Sequence, residues 1–142
     1  MNISARNQFR GSVASIQTGA VNAEVIVNLP GGSQLAAIVT NSSVQALGLA
    51  AGKEVVALVK ASSVLLMTEG AGLRLSARNC LAGTVTQVRD GAVNAEVALD
   101  LGGGTEVVAI VTRDSVAALG LRPGVAASAV IKASSVILGV QA

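Results

Sequence analysis

The sequence predicts an all-β protein built from two tandem five-stranded barrels, each with one short helix. Two observations support this prediction. The 142-residue chain contains an internal repeat at an offset of 72 positions, in which about half of the aligned residues are identical without a gap. Each repeat holds five short strand patterns, with one helical pattern between the third and the fourth. We therefore expect two domains, residues 1–70 and 71–142.

The repeat is clearest in five segments that return in the same order. In the first copy these are Ser4–Asn7, Gly19–Val25, Ala37–Thr40, Leu47–Leu49 and Lys60–Val64. A recent duplication leaves identity by default, but polar residues that agree stand beside exposed-looking residues that do not. The agreeing polar residues are therefore candidates for function.

Three strands are predicted in the first part of each repeat. Apolar residues among small ones predict a strand over Phe9–Ile16, bent at Gly11 because a missing Cβ permits a bulge. Alternating apolar residues predict a half-buried strand over Ala23–Leu29. Pro30–Ser33 is typical of a hairpin turn, and Gln34–Thr40 forms the next strand.

The pattern then changes to a helical one over Asn41–Leu47. We expect Ser42 to cap this helix and Gly48 to end it. In the second repeat, Asp114 is the better candidate for the cap.

Two more strands complete the repeat, over Glu54–Lys60 and Val64–Met67, and Ala61-Ser62 separates them. The glycine-rich residues 69–72 form a short joint to the second repeat. Five strands with a helix between the third and the fourth are the pattern of an OB-fold barrel.

Composition indicates that neither repeat is self-sufficient. A domain of about 70 residues buries only a modest fraction of its surface. Hydrophobic residues make up 51% of the chain, but it has one Phe and no Trp or Tyr to supply large buried side chains. We expect the two repeats to pack together and the chain to oligomerise.

Charge and cysteine usage indicate a cytoplasmic protein without a nucleic-acid or membrane partner. The net charge is only +2, and the Lys and Arg residues are scattered. The single cysteine, Cys80, aligns with Gln8 and cannot form an internal disulfide, which fits a reducing compartment. Arg6 and Arg10 interrupt any signal-like apolar region, and no apolar run approaches the ~18 residues of a membrane span.

The chain offers little material for catalysis, so we expect that it is not an enzyme. Histidine is absent, and the cysteine is not repeated. No phosphate-binding loop of the GxxxxGK[ST] type is present. The only repeated acid is Glu24, with its counterpart Glu96, and it is better suited to pairing with a cation or fixing a turn.

What repeats instead is a set of small donors and positive charges. A tetrahedral dianion is bound by several directed N–H and O–H donors together with one or two cations. Each residue alone also has a purely structural interpretation, such as a helix cap, a strand position or a solvated lysine. In the first copy the set is Ser4, Arg6, Asn7, Thr40, Ser43, Lys60, Ser62 and Ser63.

The ordered motifs Ser-Ala-Arg-Asn, Gly-x-Val-Asn-Ala-Glu-Val, Ile-x-Thr-x-x-Ser, Leu-Gly-Leu and Lys-Ala-Ser-x-Val resemble the Mop domain of the molbindin family of molybdenum-pterin-binding proteins. The resemblance covers both repeats, and so nearly the whole chain. It implies an OB-like barrel that binds molybdate or tungstate for intracellular storage and homeostasis. It also implies assemblies of six Mop domains, which a two-domain chain reaches as a homotrimer.

The resemblance further implies sites between domains, each made of two half-sites. One half would come from Ser4, Ala5, Arg6 and Asn7, and the other from Thr40, Ser43, Lys60 and Ala61. The second repeat offers Ser76, Ala77, Arg78 and Asn79 with Thr112, Ser115, Lys132 and Ala133. A second anion site would use the backbone of Gly19, Ala20, Val21 and Asn22, and of Gly91, Ala92, Val93 and Asn94.

Two other functions stay open at this point. The first is a structural or regulatory oligomer that does not use its ligand sites. The second is single-stranded nucleic-acid binding, which OB-folds often perform. That function needs aromatic stacking platforms and a basic groove, and one Phe in the chain argues against it.

Overall fold

The computed structural model describes residues 3–69 and 72–142. Each repeat contains five strands and one short helix, and a single 3₁₀ turn separates its last two strands. The elements are β1 (Asn7–Thr18), β2 (Asn22–Asn28), β3 (Gln34–Thr40), α1 (Asn41–Leu47), β4 (Glu54–Val59), a 3₁₀ turn (Ala61–Ser63), β5 (Leu65–Thr68), β6 (Asn79–Asp90), β7 (Asn94–Gly102), β8 (Thr105–Thr112), α2 (Arg113–Leu119), β9 (Ala126–Ile131), a second 3₁₀ turn (Ala133–Ser135) and β10 (Ile137–Gly139). The predicted fold class is confirmed.

The two repeats exchange their last strands. One five-stranded sheet has the order β10-β4-β1-β2-β3 and the other has the order β5-β9-β6-β7-β8. Ile137 of β10 lies opposite Leu58 of β4, and Leu65 of β5 lies opposite Val130 of β9, both in antiparallel pairs. Residues 1–70 and 71–142 therefore describe the repeat in the sequence, whereas each sheet takes one strand from the other repeat.

The larger hydrophobic core joins both repeats. It combines buried residues of the first repeat, such as Val25 and Leu35, with Ile131, Val136 and Leu138 of the second. A smaller cluster around Val85, Leu99 and Leu121 lies within the second repeat. Because each small barrel gains buried apolar surface from the other, the expectation that the repeats pack together is confirmed.

The hairpin turns of the two repeats also touch. A Cβ atom added at Gly103 would lie 2.3 Å from the Cα atom of Gly31, a separation that no real side chain tolerates. Thr105 Oγ1 donates to the carbonyl oxygen of Pro30 at 3.1 Å across the same contact. Glycine at these positions therefore allows one backbone to lie directly against the other.

Two local expectations are wrong. The cap of α1 is Thr40, whose Oγ1 accepts from the Ser43 N–H at 3.1 Å, so Ser42 is not the cap. In α2 the same contact is made by Thr112 with Ser115, and Asp114 lies in the first turn instead. The threonine takes this role because it ends the strand in extended conformation, one residue before the helix begins.

The irregularity in the first strand also lies elsewhere than predicted. The pairing of β1 with β2 shifts between Val13 and Ser15, beyond Gly11. Gly11 has a different function, because a Cβ atom there would lie 2.2 Å from the carbonyl oxygen of Asn28. The glycine is needed for close approach to the neighbouring strand.

Among residues 3–69 and 72–142, no helix is long and apolar enough to span a bilayer. The central residues of the predicted joint, 70 and 71, lie outside the described residues.

Candidate anion-binding site

The segment before β1 lies beside the turn that follows β4. Strands β1 and β4 are antiparallel, with Asn7 opposite Val59, so the chain brings Arg6 next to Lys60. The Ser4–Arg6 segment is held by Gln8, whose Nε2 donates to the Ala5 carbonyl oxygen at 2.9 Å. Two positively charged residues that are 54 residues apart in the sequence thus lie at the same end of the β1–β4 pair.

A cavity of about 610 Å³ opens at this end of the two strands. Five predicted site residues of the first repeat line it: Ser4, Ala5, Arg6, Lys60 and Ala61. Serine hydroxyls from both 3₁₀ turns line it as well. The lining residues are Ile3, Ser4, Ala5, Arg6, Leu58, Val59, Lys60, Ala61, Ser62, Ser63, Ile110, Ser134, Ser135 and Ile137. The cavity therefore combines two cations, several hydroxyls and an apolar wall.

Lys60 and the turn that follows it have a fixed backbone. The Ser63 N–H donates to the Lys60 carbonyl oxygen at 2.9 Å, and the Val64 N–H donates to Ala61 at 3.3 Å. Ala61 is buried, whereas the Lys60 side chain is exposed. The turn thus places the Lys60 side chain in the lining of the cavity, where it makes no ion pair among the described residues.

The Arg6 guanidinium is paired with a carboxylate of the other repeat. Its Nη1 and Nη2 donate to Glu96 Oε2 and Oε1 at 2.8 and 2.7 Å. These hydrogen bonds lower the pKa of Glu96 below its usual value. Partial burial opposes the shift, and the charges of Arg6 and Arg89 add to it. Glu96 in turn raises the pKa of Arg6. The expectation that the repeated glutamate pairs with a cation is confirmed.

Asn7 makes a different contact with the other repeat. Its side chain is buried, Nδ2 donates to the Val108 carbonyl oxygen at 2.8 Å, and Oδ1 accepts from the Val108 N–H at 2.7 Å. Its carboxamide therefore joins β1 to β8 and is engaged in holding the repeats together.

Thr40 and Ser43 line a separate cleft. The other residues of this cleft are Val39, Leu47, Leu49, Val136, Ile137 and Leu138. Strand β3 packs against the second 3₁₀ turn, and β8 packs against the first. Within one chain, Thr40 and Ser43 thus lie beside the turn that follows Lys132, while Lys60 and Ala61 lie beside Ser4–Arg6.

The Thr40 and Ser43 hydroxyls are bonded to each other. Thr40 Oγ1 accepts from the Ser43 backbone N–H and donates to Ser43 Oγ at 2.9 Å. Because a hydroxyl has one hydrogen, this arrangement leaves the Ser43 O–H hydrogen directed elsewhere. Thr112 and Ser115 repeat the pattern at 2.8 Å.

The second repeat makes the contacts that correspond to those of Arg6, Asn7 and Lys60. Asn79 lies opposite Ile131, which brings Arg78 next to Lys132, and Ala133 is buried like Ala61. Arg78 pairs with Glu24. Asn79 clamps the backbone of Ala36, with distances of 2.7 and 2.8 Å. Ser76 is exposed and Ala77 is half-buried, as at Ser4 and Ala5.

The proposed second anion sites are exposed turns at the ends of β1 and β6. In the first, the Gly19 N–H donates to the Asn22 carbonyl oxygen at 2.8 Å, and Asn41 Nδ2 donates to the Gly19 oxygen at 2.9 Å. The turn Gly91–Asn94 has the same backbone bond at 2.7 Å, but Arg113 takes the place of Asn41. The turn Gly91–Asn94 ends two residues before Glu96, which pairs with Arg6 of the cavity, and Ala20 and Ala92 are exposed like their neighbours.

Sequence reasoning missed the apolar wall and the contribution of the other repeat. Ile137 borders both the cavity and the Thr40 cleft, because the exchanged strand β10 lies beside β4. Ser134 and Ser135 enter the cavity for the same reason. No signal in the sequence indicated the strand exchange, since either pairing satisfies the same apolar pattern.

No group of three or more His, Cys, Asp and Glu side chains in the described part of the chain is placed to hold a metal cation.

Comparison with known proteins supports this interpretation. The chain is 52% identical over 140 residues to the molybdenum transport protein ModE of Azotobacter vinelandii. It is 49% identical over 138 residues to the molybdenum-pterin-binding protein MopA of Rhodobacter capsulatus. These matches cover 99% and 97% of the chain but 52% of each relative, so the chain spans about half the length of these curated relatives.

A solved structure matches over the full length. The crystal structure of the cytoplasmic molybdate-binding protein ModG with molybdate bound superposes with a TM-score of 0.96 and 63% identity. It covers 99% of this chain and 100% of that one. The resemblance to the molybdenum-pterin-binding proteins is confirmed.

The family model for the TOBE domain matches twice, at residues 3–66 and 75–138, and so covers most of the chain. The chain therefore belongs to the TOBE domain family and carries two copies of that domain.

Proposed function

We propose that this protein binds molybdate, and also tungstate, and holds the oxyanion for intracellular storage and homeostasis without turning it over. The observation that carries the proposal is the cavity where Lys60 and Arg6 meet serine hydroxyls of both repeats. The structural match to a molybdate-bound protein supports it. The proposed location is the cytoplasm, and the proposed role is binding rather than catalysis.

The chemistry of the donors fits a tetrahedral dianion. Lys60 supplies a point charge with three hydrogens, and serine hydroxyls supply single directed donors. Charge-assisted hydrogen bonds to an oxyanion are roughly twice as strong as neutral ones. The apolar side chains of Ile110 and Ile137 lie beside these donors, and a neighbouring subunit that covers them would reduce local screening and so strengthen each contact.

We infer that a complete site needs a neighbouring chain. Within one chain, the Thr40 and Ser43 hydroxyls line a different cleft from Lys60 and Arg6. The cleft and the cavity both open to the surface beside Ile137, which is 63% exposed. A neighbouring subunit that covers Ile137 can add its own donors to each half-site.

Exposed apolar residues support self-association, proposed here as a homotrimer. Leu65 and Ile137 occupy equivalent positions in the two repeats, and each is 63% exposed. Val21 and Val93, in the two proposed second-site turns, are also equivalent and largely exposed. Matched apolar positions on both repeats are suited to a symmetric assembly in which each repeat meets a partner.

Calorimetric titration with molybdate, and with sulfate as a control, tests the proposed function on protein whose mass is measured by light scattering. We expect tight molybdate binding, more than one ion per chain, weak or no sulfate binding, and the mass of a trimer. No heat with molybdate on a folded oligomer would rule out the proposed function.

A further inference from the structure

The arginine at each candidate site is already occupied by a carboxylate. Arg6 directs both terminal nitrogens of its guanidinium at Glu96, at 2.8 and 2.7 Å. This bidentate geometry is the one that an arginine also uses for an oxyanion. Lys60, which lines the same cavity, makes no ion pair among the described residues.

The same arrangement occurs in the second repeat, where Arg78 pairs with Glu24. In both cases the carboxylate comes from the opposite repeat, on the second strand of that repeat in the sequence. Both side chains of each pair are partly exposed, at 48% and 27% for Arg6 and Glu96. A partly exposed pair is held weakly enough to be exchanged for another partner.

The carboxylate changes the charge that an incoming anion meets. Without it, Lys60 and Arg6 present two positive charges side by side. With Glu96 in place, the charge of Arg6 is largely compensated, and the charge of Arg89, which lies opposite Glu96 on β6, also acts on Glu96. A monovalent anion gains little by replacing one carboxylate, whereas a dianion gains about twice the Coulomb energy.

We propose that Glu96 and Glu24 are specificity-determining residues that compete with the bound oxyanion for Arg6 and Arg78. The internal carboxylates lower the affinity for every anion and exclude those with a single charge. The inference rests on the proposed function. It adds that the two carboxylates select bound anions by their charge.

Perrhenate is a suitable probe, because it is tetrahedral like molybdate and carries one negative charge instead of two. The experiment is a calorimetric titration of the full chain with molybdate and with perrhenate. It compares the wild type, the Glu24→Gln, Glu96→Gln double variant, and the charge-matched Glu54→Gln, Glu106→Gln control. Glu54 and Glu106 are exposed, lie outside the cavity, and make no ion pair in the described residues.

We expect the Glu24→Gln, Glu96→Gln variant to bind molybdate at least about fivefold more tightly than both other proteins, because a nearby negative charge is removed. Perrhenate binding should be detected in this variant alone. A merely structural ion pair would change the midpoint of urea unfolding, but it would leave the molybdate affinity unchanged and perrhenate binding undetected in the variant.

Two results would overturn the inference. If the wild type binds molybdate and the variant binds it equally or more weakly, the carboxylates do not compete with the ligand and the proposed function still stands. If the wild type binds no molybdate, the proposed function and this inference both fall. If the double variant does not fold, the single variants Glu96→Gln and Glu24→Gln each keep one pair, and the same comparison applies.

Discussion

Asn7 clamps the backbone of Val108, 101 residues away in the sequence, through two hydrogen bonds of 2.8 and 2.7 Å. Asn79 makes the equivalent clamp on Ala36, so each repeat holds a strand of the other. Both asparagines are almost fully buried. The buried amides and the Arg–Glu pairs beside them join the repeats at the candidate sites, so the integrity of the site depends on the contact between repeats.

Replacing Asn7 by Ala should therefore destabilise the protein strongly. The change leaves the N–H and carbonyl groups of Val108 buried without their partner, at a cost of about 2–4 kcal/mol for the two groups. Urea unfolding measures this loss, and Gln45→Ala on the exposed face of α1 is the control. A loss for Asn7→Ala within about 0.5 kcal/mol of the control would contradict the clamp.

The contact between hairpins gives a second prediction. Gly103→Ala and Gly32→Ala both place a side chain at positive φ, but only Gly103 lies against the other repeat, whereas Gly32 has no atom within 4 Å of an added Cβ. Gly103→Ala should be more destabilising by at least about 1 kcal/mol, because the hairpins must separate. Thermal unfolding of the two variants compares them directly. Equal midpoints would mean that the hairpins do not touch in solution.

The helix caps give a third prediction. Thr40→Val keeps the shape of the side chain but removes the acceptor for the Ser43 N–H, and should cost about 1 kcal/mol. Ser42→Ala should have almost no effect, since Ser42 makes no capping contact. Chemical denaturation of both variants separates the two assignments, and the reverse order of stabilities would restore Ser42 as the cap.

A fourth prediction concerns pH. The pKa of Glu96 is lowered in the folded protein, so the folded state prefers the ionised carboxylate. Its stabilising contribution is therefore complete above the unfolded pKa of about 4.3 and is lost as pH falls through the folded value. The difference in unfolding free energy between wild type and Glu96→Gln should be steady from about pH 5 to 8 and should shrink below about pH 4.

The control for this prediction is the same comparison in an Arg6→Met background. Without the guanidinium, the pH dependence of the difference should become much smaller, because the hydrogen bonds of Arg6 are the largest cause of the lowered pKa of Glu96 and the charge of Arg89 is a smaller one. A difference that persists at low pH, or whose pH dependence is as large in the Arg6→Met protein, would show that the ion pair does not cause it.

Much of the fold could be predicted because local patterns determine it. The helix over Asn41–Leu47 and the strand over Gln34–Thr40 have the predicted bounds, since apolar periodicity and Gly48 define them. The cap was missed because three neighbouring polar residues are all acceptable caps. The predicted bounds place Thr40 directly before the helix, and the residue at that position is the one whose side chain accepts from the Ser43 N–H.

The strand exchange could not be predicted because the two repeats have nearly the same pattern. Judged by the apolar pattern alone, either Leu65–Thr68 or Ile137–Gly139 can pair with the free edge of β4. For the same reason, the repetition of Arg6 and Asn7 indicated function without distinguishing contacts between repeats from contacts to a ligand. The family resemblance predicted the identity of the ligand. The fold shows which of the repeated residues line a common cavity.

Equilibrium dialysis of Lys60→Ala, Lys132→Ala protein against molybdate tests the proposed site most directly. Both lysines are exposed, so the variant should fold, and Lys53→Ala, which removes one exposed lysine on a turn outside the cavity, is a control. We predict a loss of affinity of at least about tenfold, because a charged donor to the anion is removed in each repeat. Unchanged affinity and stoichiometry in this variant would mean that the anion does not bind where Lys60 and Lys132 lie.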